Sequence, residues 1–514
     1  WPFFVAGPSA LLPPHVRNRA TAPLHFGVRM SQLSFSADLQ DIASCEQLVV
    51  IGRAADLKSG WPFAGLSTVV ASWGARLADE ARPGRSGGPA STLLPDGAGP
   101  HKLTVIALHD SVTRHVSETR AEEIWGQLQG VSSGLTGDVG IVVAMAEPDH
   151  AFGTALGVAR CFPLYSRKTK PNKLGHVTSV LRHAGGVYGD TATLTIAAEA
   201  TRLTQRVVDM PPAELDTAVF EAEARAAVSH LDHVSVTSIV GDDLLTAGLR
   251  GLHAVGRTAM VAPRLVVMDY EPPGATETIA IVGKGLVYDT GGLSLKIVGD
   301  RMLTMKCDMG GAGAVLGAFT VLARTGCTQR IVAVLAMAEN AIGADAYRPD
   351  DVLEMHSGKT VEINNTDAEG RLALADGASY VTRAYNPSLV VEAATLTGAQ
   401  LMATGKAHAG ICATDADLEA RALAAGLASG DHCLAMLWSP EHMAAEFKSK
   451  VADMRNSVAD RMNASSAAAG YFVYSHIEDT EVRFLHIDLA GPSFRGNRAT
   501  GYGVGLITKV VQQL

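Results

Sequence analysis

The chain has 514 residues, of which 47% are hydrophobic and 18% are charged, a balance that excludes intrinsically disordered and collagen-like proteins. Its 43 basic and 52 acidic residues give a net charge of −9, which disfavours a nucleic-acid partner bound through phosphate contacts. No stretch approaches the ~18 uninterrupted apolar residues of a membrane span, so we expect no membrane partner.

The amino-terminal segment differs in composition from the rest of the chain. Residues 1–32 are predicted to form a disordered leader, because residues 1–29 contain five prolines and three arginines but no acidic residue. An organelle-targeting leader is the alternative, although prolines fit poorly into an amphipathic targeting helix.

The six cysteines are scattered without a C-x-x-C pair, which favours a reducing compartment and a cytoplasmic location.

The first half of the chain is predicted to form a smaller N-terminal α/β domain over residues 33–190. Its strand-like segments, residues 46–51, 102–108 and 139–146, alternate with helical ones. A linker helix is predicted over residues 191–209, because its apolar residues suit a helix and two prolines at 211 and 212 stop it.

Residues 210–514 are predicted to form a larger C-terminal domain. Runs of Val, Ile and Leu separated by helical segments are typical of a mainly parallel central sheet with helices on both faces. The predicted strands are residues 233–240, 265–269, 278–282, 330–337, 388–395, 408–413 and 484–489, and two predicted helices are residues 313–323 and 372–385. The fold class is therefore α/β, and ligands are expected at the carboxyl ends of the strands.

Three glycine-rich segments beside these elements carry acidic residues: residues 283–296, 305–311 and 364–372. A single aspartate in such a turn is typical of a helix cap or a turn, but four carboxylates and four cations in three such segments indicate a shared site. Carboxylates in one site repel one another unless they are protonated or bridged by cations. Oxygen ligands without a histidine or thiolate cage suit Zn, Mn, Mg or Co.

Two of these segments resemble a known family. Residues 283–296 and the block Asn365-Thr366-Asp367-Ala368-Glu369-Gly370-Arg371-Leu372 closely resemble the leucyl aminopeptidase (cytosol aminopeptidase) family of two-metal peptidases. The resemblance extends over about residues 200–514, whereas the N-terminal half resembles the family only in architecture. Residues 287–294 and 451–460 are most similar to the probable aminopeptidase-like branch.

The resemblance implies a metallo-aminopeptidase, with residues 210–514 as its catalytic peptidase domain. Such an enzyme hydrolyses the N-terminal amino acid from a peptide with a free amino terminus, using a water activated by two metals. Lys284, Asp289, Asp308 and Glu369 match the family's tight metal site. Asp289, Asp367 and Glu369 match the exchangeable site, so Asp289 and Glu369 would bridge two ions, with Zn expected and Mn, Mg or Co as alternatives at the exchangeable site.

The resemblance also implies roles for residues that do not bind metal. Lys296 matches the residue that stabilises the oxyanion, and Arg371 matches the residue that holds a bicarbonate general base. The positions that match the substrate pocket are Met305, Thr395, Leu396 and Gly398. The sequence departs from the better-known enzymes at residues 498–505, so a preference for leucine does not follow from the resemblance.

The resemblance further implies a homohexamer, arranged as a dimer of trimers. Two other readings of the acidic segments stay open at this point. A two-metal phosphoesterase also has a carboxylate-rich site, but such sites usually include histidines, which these three segments lack. A non-enzymatic relative that keeps the fold is disfavoured by the complete ligand set.

Overall fold

The computed structural model describes residues 32–84, 87–97, 99–170, 173–297 and 302–514. The predicted disordered leader, residues 1–32, lies outside the described residues except for Gln32. Among the described residues, no helix is both long and apolar enough to span a membrane.

The N-terminal half contains a seven-stranded sheet with helices packed on it. Its strands are β1 Leu33–Ser36, β2 Gln47–Arg53, β3 Ala90–Leu93, β4 Lys102–Leu108, β5 Gly137–Ala144, β6 Leu174–His183 and β7 Gly186–Val187. Its helices are α1 Ala54–Ser59, α2 Thr68–Glu80, α3 Ala121–Ser132 and α4 Ala151–Ala159. The strand order is β1-β6-β5-β2-β4-β3, parallel except for β3 at the edge and the short β7, which pairs with β6.

Helix α5, Thr191–Asp209, occupies the residues of the predicted linker helix. Asp190 caps its first turn by accepting a hydrogen bond from the Thr193 amide at 3.2 Å. Its buried face packs between the two halves of the chain, and the Thr204 hydroxyl donates to the Gly313 carbonyl at 2.8 Å. The domain limits at residues 190 and 210 stay a prediction.

The C-terminal half is built around an eight-stranded sheet. The described strands of this half are β8 Val234–Val240, β9 Arg264–Tyr270, β10 Thr278–Asp289, β11 Arg330–Asn340, β12 Val352–Glu354, β13 Thr360–Glu362, β14 Leu389–Ala394, β15 Ala409–Ala413, β16 Cys433–Ala435, β17 Met454–Arg455, β18 Arg483–Asp488, β19 Phe494–Arg495 and β20 Arg498–Ala499. Strands β12, β13 and β17 form a separate small sheet, and β19 pairs with β20. Its helices are α6 Thr217–Val228, α7 Asp243–Thr246, α8 Arg250–Gly256, α9 Gly310–Arg324, α10 Gly370–Tyr385, α11 Gly398–Ala403, α12 Ala416–Ser429, α13 Pro440–Ala445, α14 Ser465–Ser475 and α15 Val504–Gln512.

The large sheet has the order β16-β15-β18-β14-β10-β11-β9-β8. Its four central strands, β18, β14, β10 and β11, are parallel, and a buried apolar cluster covers each face. The predicted mainly parallel sheet is therefore confirmed at its centre. Towards the edges, β9 runs antiparallel to β11, β8 to β9, and β15 to β18.

Strand β10 is longer than predicted: the sequence predicts its end at residue 282, with a glycine-rich turn after it, whereas the strand continues to Asp289. Residues 283–289 continue to pair with β11 until Asp289 lies opposite Asn340, with a bulge at Val287. The pairing overrides the loop-like composition of the segment, which includes Gly283 and Gly285. As a result Lys284 lies on a rigid strand, and Asp289 ends that strand.

Candidate metal centre

Lys284 lies at the centre of the site, on β10, and its side chain is only 3% exposed. Its Nζ lies 2.9 and 2.8 Å from the two carboxylate oxygens of Asp308, and 2.9 Å from Oε1 of Glu369. It also donates to the Thr395 carbonyl at 3.1 Å. The ammonium group therefore joins two acidic residues that are far apart in the sequence.

Asp289 is positioned by the end of β10 and by the turn that follows. Its Oδ1 accepts hydrogen bonds from the Gly291 amide and from Nδ2 of Asn340, both at 2.8 Å. The turn needs glycine at 291, where φ is +87°. Oδ2 of Asp289 lies 2.8 Å from Nζ of Lys296, which also contacts Asp367.

Asp308 belongs to a short 3₁₀ helix, Met305–Met309, that leads directly into α9. Its Oδ1 accepts a hydrogen bond from the Thr395 hydroxyl at 2.8 Å. Thr395, which we expected in the substrate pocket, thus also orients a predicted metal ligand.

Asp367 and Glu369 lie in the loop before α10, and Glu369 is the residue directly before the helix, where its side chain makes no capping hydrogen bond. The Asp367 amide donates to Oδ1 of Asn365 at 3.0 Å. Asn456, from the distant segment before α14, donates to the Asn365 carbonyl at 2.6 Å and fixes the same loop. Glu369 is fully buried, whereas the Asp367 side chain is 33% exposed towards the cavity.

Burial and mutual repulsion set the protonation of these acids. Burial raises the pKa of Glu369 above its usual range, and the nearby Asp289 carboxylate raises it further. Burial also raises the pKa of Asp308, against the lowering effect of Lys284. For Lys284 itself, burial lowers the pKa, but the carboxylates of Asp308 and Glu369 raise it by more, so that its net shift is upward. Each ammonium group thus compensates acids that would otherwise repel one another.

The donor set fits divalent metal ions. Carboxylate oxygens of Asp289, Asp367 and Glu369 lie within 4.8 Å of one another. Oε2 of Glu369 is buried and makes no hydrogen bond with any described residue, so a lone pair there is available to a ligand. Carboxylate oxygens are ligands that Mg, Mn and Zn all accept.

Arg371, in the first turn of α10, presents a buried guanidinium group to the cavity. Its Nε and Nη1 make no hydrogen bond within the described part of the chain. Burial lowers the pKa of Arg371 to about 10, against the raising effect of Glu369 and Asp488. Each of these N–H groups is a donor without an acceptor, so an anion bound beside the guanidinium group would be stabilised by charge-assisted hydrogen bonds.

These side chains line one cavity of about 1280 Å³. All eleven residues predicted for the site contribute to its wall: Lys284, Asp289, Lys296, Met305, Asp308, Asp367, Glu369, Arg371, Thr395, Leu396 and Gly398. The structure therefore brings together every predicted site residue. Which of them bind metal, transfer protons or contact substrate stays a prediction.

Sequence reasoning missed buried polar residues that hold the site in place. Asn340 ends β11 and bonds Asp289, and its Nδ2 also lies 3.1 Å from the Thr366 carbonyl. Asp488 ends β18 and accepts hydrogen bonds from the Leu396 amide at 3.2 Å and the Thr397 hydroxyl at 2.6 Å. Their one sequence signal is a polar residue that ends an apolar strand run.

Comparison with known proteins gives consistent matches. Residues 202–508 match a model described as "Cytosol aminopeptidase family, catalytic domain". Probable aminopeptidase NPEPL1 from Mus musculus is 42% identical over 413 residues, which cover 79% of this chain and 78% of that protein.

Two solved structures also match. Leucyl aminopeptidase from Trypanosoma brucei in complex with bestatin has a TM-score of 0.86 at 33% identity, covering 94% of this chain and 96% of that chain. The bottromycin maturation enzyme BotP in complex with Mn has a TM-score of 0.75 at 27% identity, covering 91% of this chain and 99% of that chain. Both superpositions confirm the predicted α/β fold.

Proposed function

Because this chain belongs to the cytosol aminopeptidase family and is a metal-dependent aminopeptidase, we propose that it removes single residues from free peptide amino termini with two divalent ions. The observation that carries this proposal is the convergence of three carboxylates within 4.8 Å, beside the buried Lys284 and the partly buried Lys296, in one cavity. Acidic residues that served only as turn formers or helix caps would not be expected to cluster in one cavity.

We assign the ligands as follows. Lys284, Asp289, Asp308 and Glu369 would hold a tightly bound ion, which we propose to be Zn. Asp289, Glu369 and Asp367, through its side chain and carbonyl, would hold an exchangeable Zn, Mn, Mg or Co. Two such ions supply a water of lowered pKa and polarise the scissile carbonyl.

Lys296 is assigned to the oxyanion. It is pre-positioned by Asp289, which lies 2.8 Å away, and by Asp367, so little reorganisation is needed when negative charge develops on the substrate oxygen. A donor held in this way typically contributes about two to three orders of magnitude in turnover.

Arg371 is assigned to hold a bicarbonate ion, which supplies general-base chemistry when bound. The support is the pair of buried nitrogens, Nε and Nη1, that lack hydrogen-bond partners among the described residues. Met305, Thr395, Leu396 and Gly398 are assigned to the wall around the substrate's first residue, which is supported by their position along the cavity.

Assembly and location are part of the proposal. We assign a homohexamer, a dimer of trimers, from the resemblance to the family, and light scattering of the purified protein tests it. A cytoplasmic location is supported by the six cysteines, all of them free thiols.

Hydrolysis of leucine arylamide, with and without a chelator, tests the function. We expect turnover that the chelator abolishes and that added Zn or Mn restores. Turnover of a phosphate ester in place of the arylamide would favour the phosphoesterase reading. Turnover of neither substrate by metal-loaded protein would favour a non-enzymatic relative.

A further inference from the structure

We propose that this cavity selects peptides that carry a carboxylate beyond the scissile bond, and that Lys406 and Arg461 recognise that carboxylate. The inference rests on the proposed aminopeptidase function and names its substrate class. It starts from the charges that line the cavity.

The charged residues of the cavity wall fall into two groups, those of the metal centre and those of the remaining wall. All four acids that line it belong to the metal centre, where Lys284 and Lys296 pair with them. Four further cations line the wall: Arg371, Lys406, Arg461 and Arg495. No described acid outside the metal centre lines the cavity, so this remaining part is cationic, in a chain whose net charge is −9.

Three of these cations, Arg371, Lys406 and Arg461, form no ion pair within the described part of the chain, and Arg371 is already assigned to bicarbonate. Arg495 pairs with Glu122 and stacks on Trp125 of the N-terminal half. By contrast, Lys406 and Arg461 are exposed and form no ion pair with any described residue. Their charges are therefore available to a ligand in the cavity.

The backbone that carries Lys406 is held in place. It lies in the turn after α11, beneath which Gln400 is fully buried. Nε2 of Gln400 donates to the carbonyls of Gly405 at 3.0 Å and His408 at 2.7 Å, on either side of Lys406. Its Oε1 accepts from the Gly491 amide at 2.7 Å. The ammonium group thus extends from a fixed anchor.

The segment that carries Arg461 is tied to the metal centre itself. Asn456 begins it and bonds the Asn365 carbonyl at 2.6 Å, within the loop that bears Asp367. Before Arg461, the Asp460 amide donates to Oε2 of Glu446 at 3.0 Å. Residues 451–460, which resemble the probable aminopeptidase-like branch, end directly before Arg461, and none of them is a proposed metal ligand.

A peptide whose amino terminus lies at the metal centre extends its next groups along this wall. Its carboxylate can come from the C-terminus of a dipeptide or tripeptide, or from an acidic side chain after the scissile bond. Opposite charge in such a cleft raises the local concentration of the matching substrate, and salt weakens the effect.

Two substrate pairs test the inference and distinguish the two sources. Leu-Gly against Leu-Gly-amide reports a terminal carboxylate, and Leu-Asp-amide against Leu-Asn-amide reports a side-chain carboxylate. We expect kcat/KM to favour the carboxylate member of at least one pair about two- to tenfold at low salt, as one or two exposed ion pairs would give. The preference should fall towards one at high salt, since ions screen exposed charges.

The variants Lys406→Gln and Arg461→Gln should each lower that ratio, and the double variant should bring it close to one. Lys450→Gln is the matched control, because Lys450 is exposed and does not line the cavity. A ratio near one in both pairs for the native protein contradicts the inference, and so does an equal change in Lys450→Gln. Failure to hydrolyse any of the four substrates contradicts instead the proposed function on which it rests.

Discussion

At the centre of the site, Lys284 lies between two acidic residues whose negative charge it compensates. In the structure its ammonium group lies within 2.9 Å of Asp308 and Glu369 oxygens, and these carboxylates keep its pKa above the usual value despite burial. As a metal ligand the same nitrogen must offer a lone pair, so metal binding there has to release a proton.

The variant Lys284→Arg tests this ligand role. A guanidinium stays protonated and offers no lone pair, so we expect the tight site to lose about tenfold or more in metal affinity. Calorimetric titration of metal into metal-free protein measures the change, with Lys450→Arg as a control on an exposed lysine. Equal affinity and stoichiometry in Lys284→Arg would show that Lys284 only forms ion pairs.

Arg371 and Lys296 are predicted to act in the reaction rather than in folding. Arg371→Ala and Lys296→Ala should each lower kcat by about 10²–10³ and leave the metal content largely unchanged. Arg371→Ala should not lower the thermal midpoint, since its buried guanidinium has two nitrogens without partners among the described residues. Arg383→Ala, which removes an exposed pair with Asp479, is the control. Unfolding of either site variant would make that residue structural.

Among the elements, helix α9 approaches the central sheet through glycines. A Cβ on Gly311 would lie 2.1 Å from the Ala393 carbonyl oxygen of β14, and one on Gly283 of β10 would lie 2.5 Å from Cα of Ala312. This close packing brings the 3₁₀ helix that carries Asp308 up to Lys284. The glycine-rich sequence 310–313 therefore serves close packing of the helix on the sheet.

The variant Gly311→Ala should destabilise the protein by about 1–3 kcal/mol, because the backbone of β14 cannot yield as a side chain would. The matched control is Gly126→Ala in α3, where a Cβ meets nothing within 4 Å and helix propensity favours alanine by up to about 1 kcal/mol. Thermal unfolding of both variants without metal measures the difference. A midpoint in Gly311→Ala equal to that of the native protein would contradict the close approach.

The strands of the large sheet were predictable from the sequence in their positions, but not in all of their ends and directions. The central strands follow from continuous apolar runs, and the candidate acidic ligands follow from short motifs that resemble a known family. The continuation of β10 to Asp289 does not follow, because it depends on pairing with β11 rather than on local composition. Asn340 and Asp488 likewise acquire their roles only when strand register places their side chains at one edge of the sheet. The direction of the edge strands β8 and β9 is set by tertiary packing as well.

In the whole molecule, the segment that departs from the better-known enzymes, residues 498–505, links the two halves. Arg498 pairs with Asp209 at the end of α5 at 2.7 Å. The Gly503 amide donates at 3.0 Å to Asp431, a buried acid that also pairs with Arg160 of the N-terminal half. The adjoining strand β19 lines the cavity at Phe494. The N-terminal half thus supports one wall of the site.

Over the whole chain, the charge of the buried site predicts two metal ions per molecule. Four carboxylates outnumber the two ammonium groups there, and the raised pKa values of Glu369 and Asp308 reflect burial as well as repulsion from Asp289, so cations that bind there would be stabilised. One ion could not use both Asp289 and Glu369 as bridging ligands.

Each ion at 100 times its dissociation constant should add about 2.7 kcal/mol of stability. We therefore expect elemental analysis of active protein to give two ions per chain, and chelation to lower the thermal midpoint in two steps. Glu369→Gln, which changes a proposed bridging ligand, should weaken both sites together. A single ion in fully active protein, with no gain from added Mn or Co, would contradict the two-metal assignment.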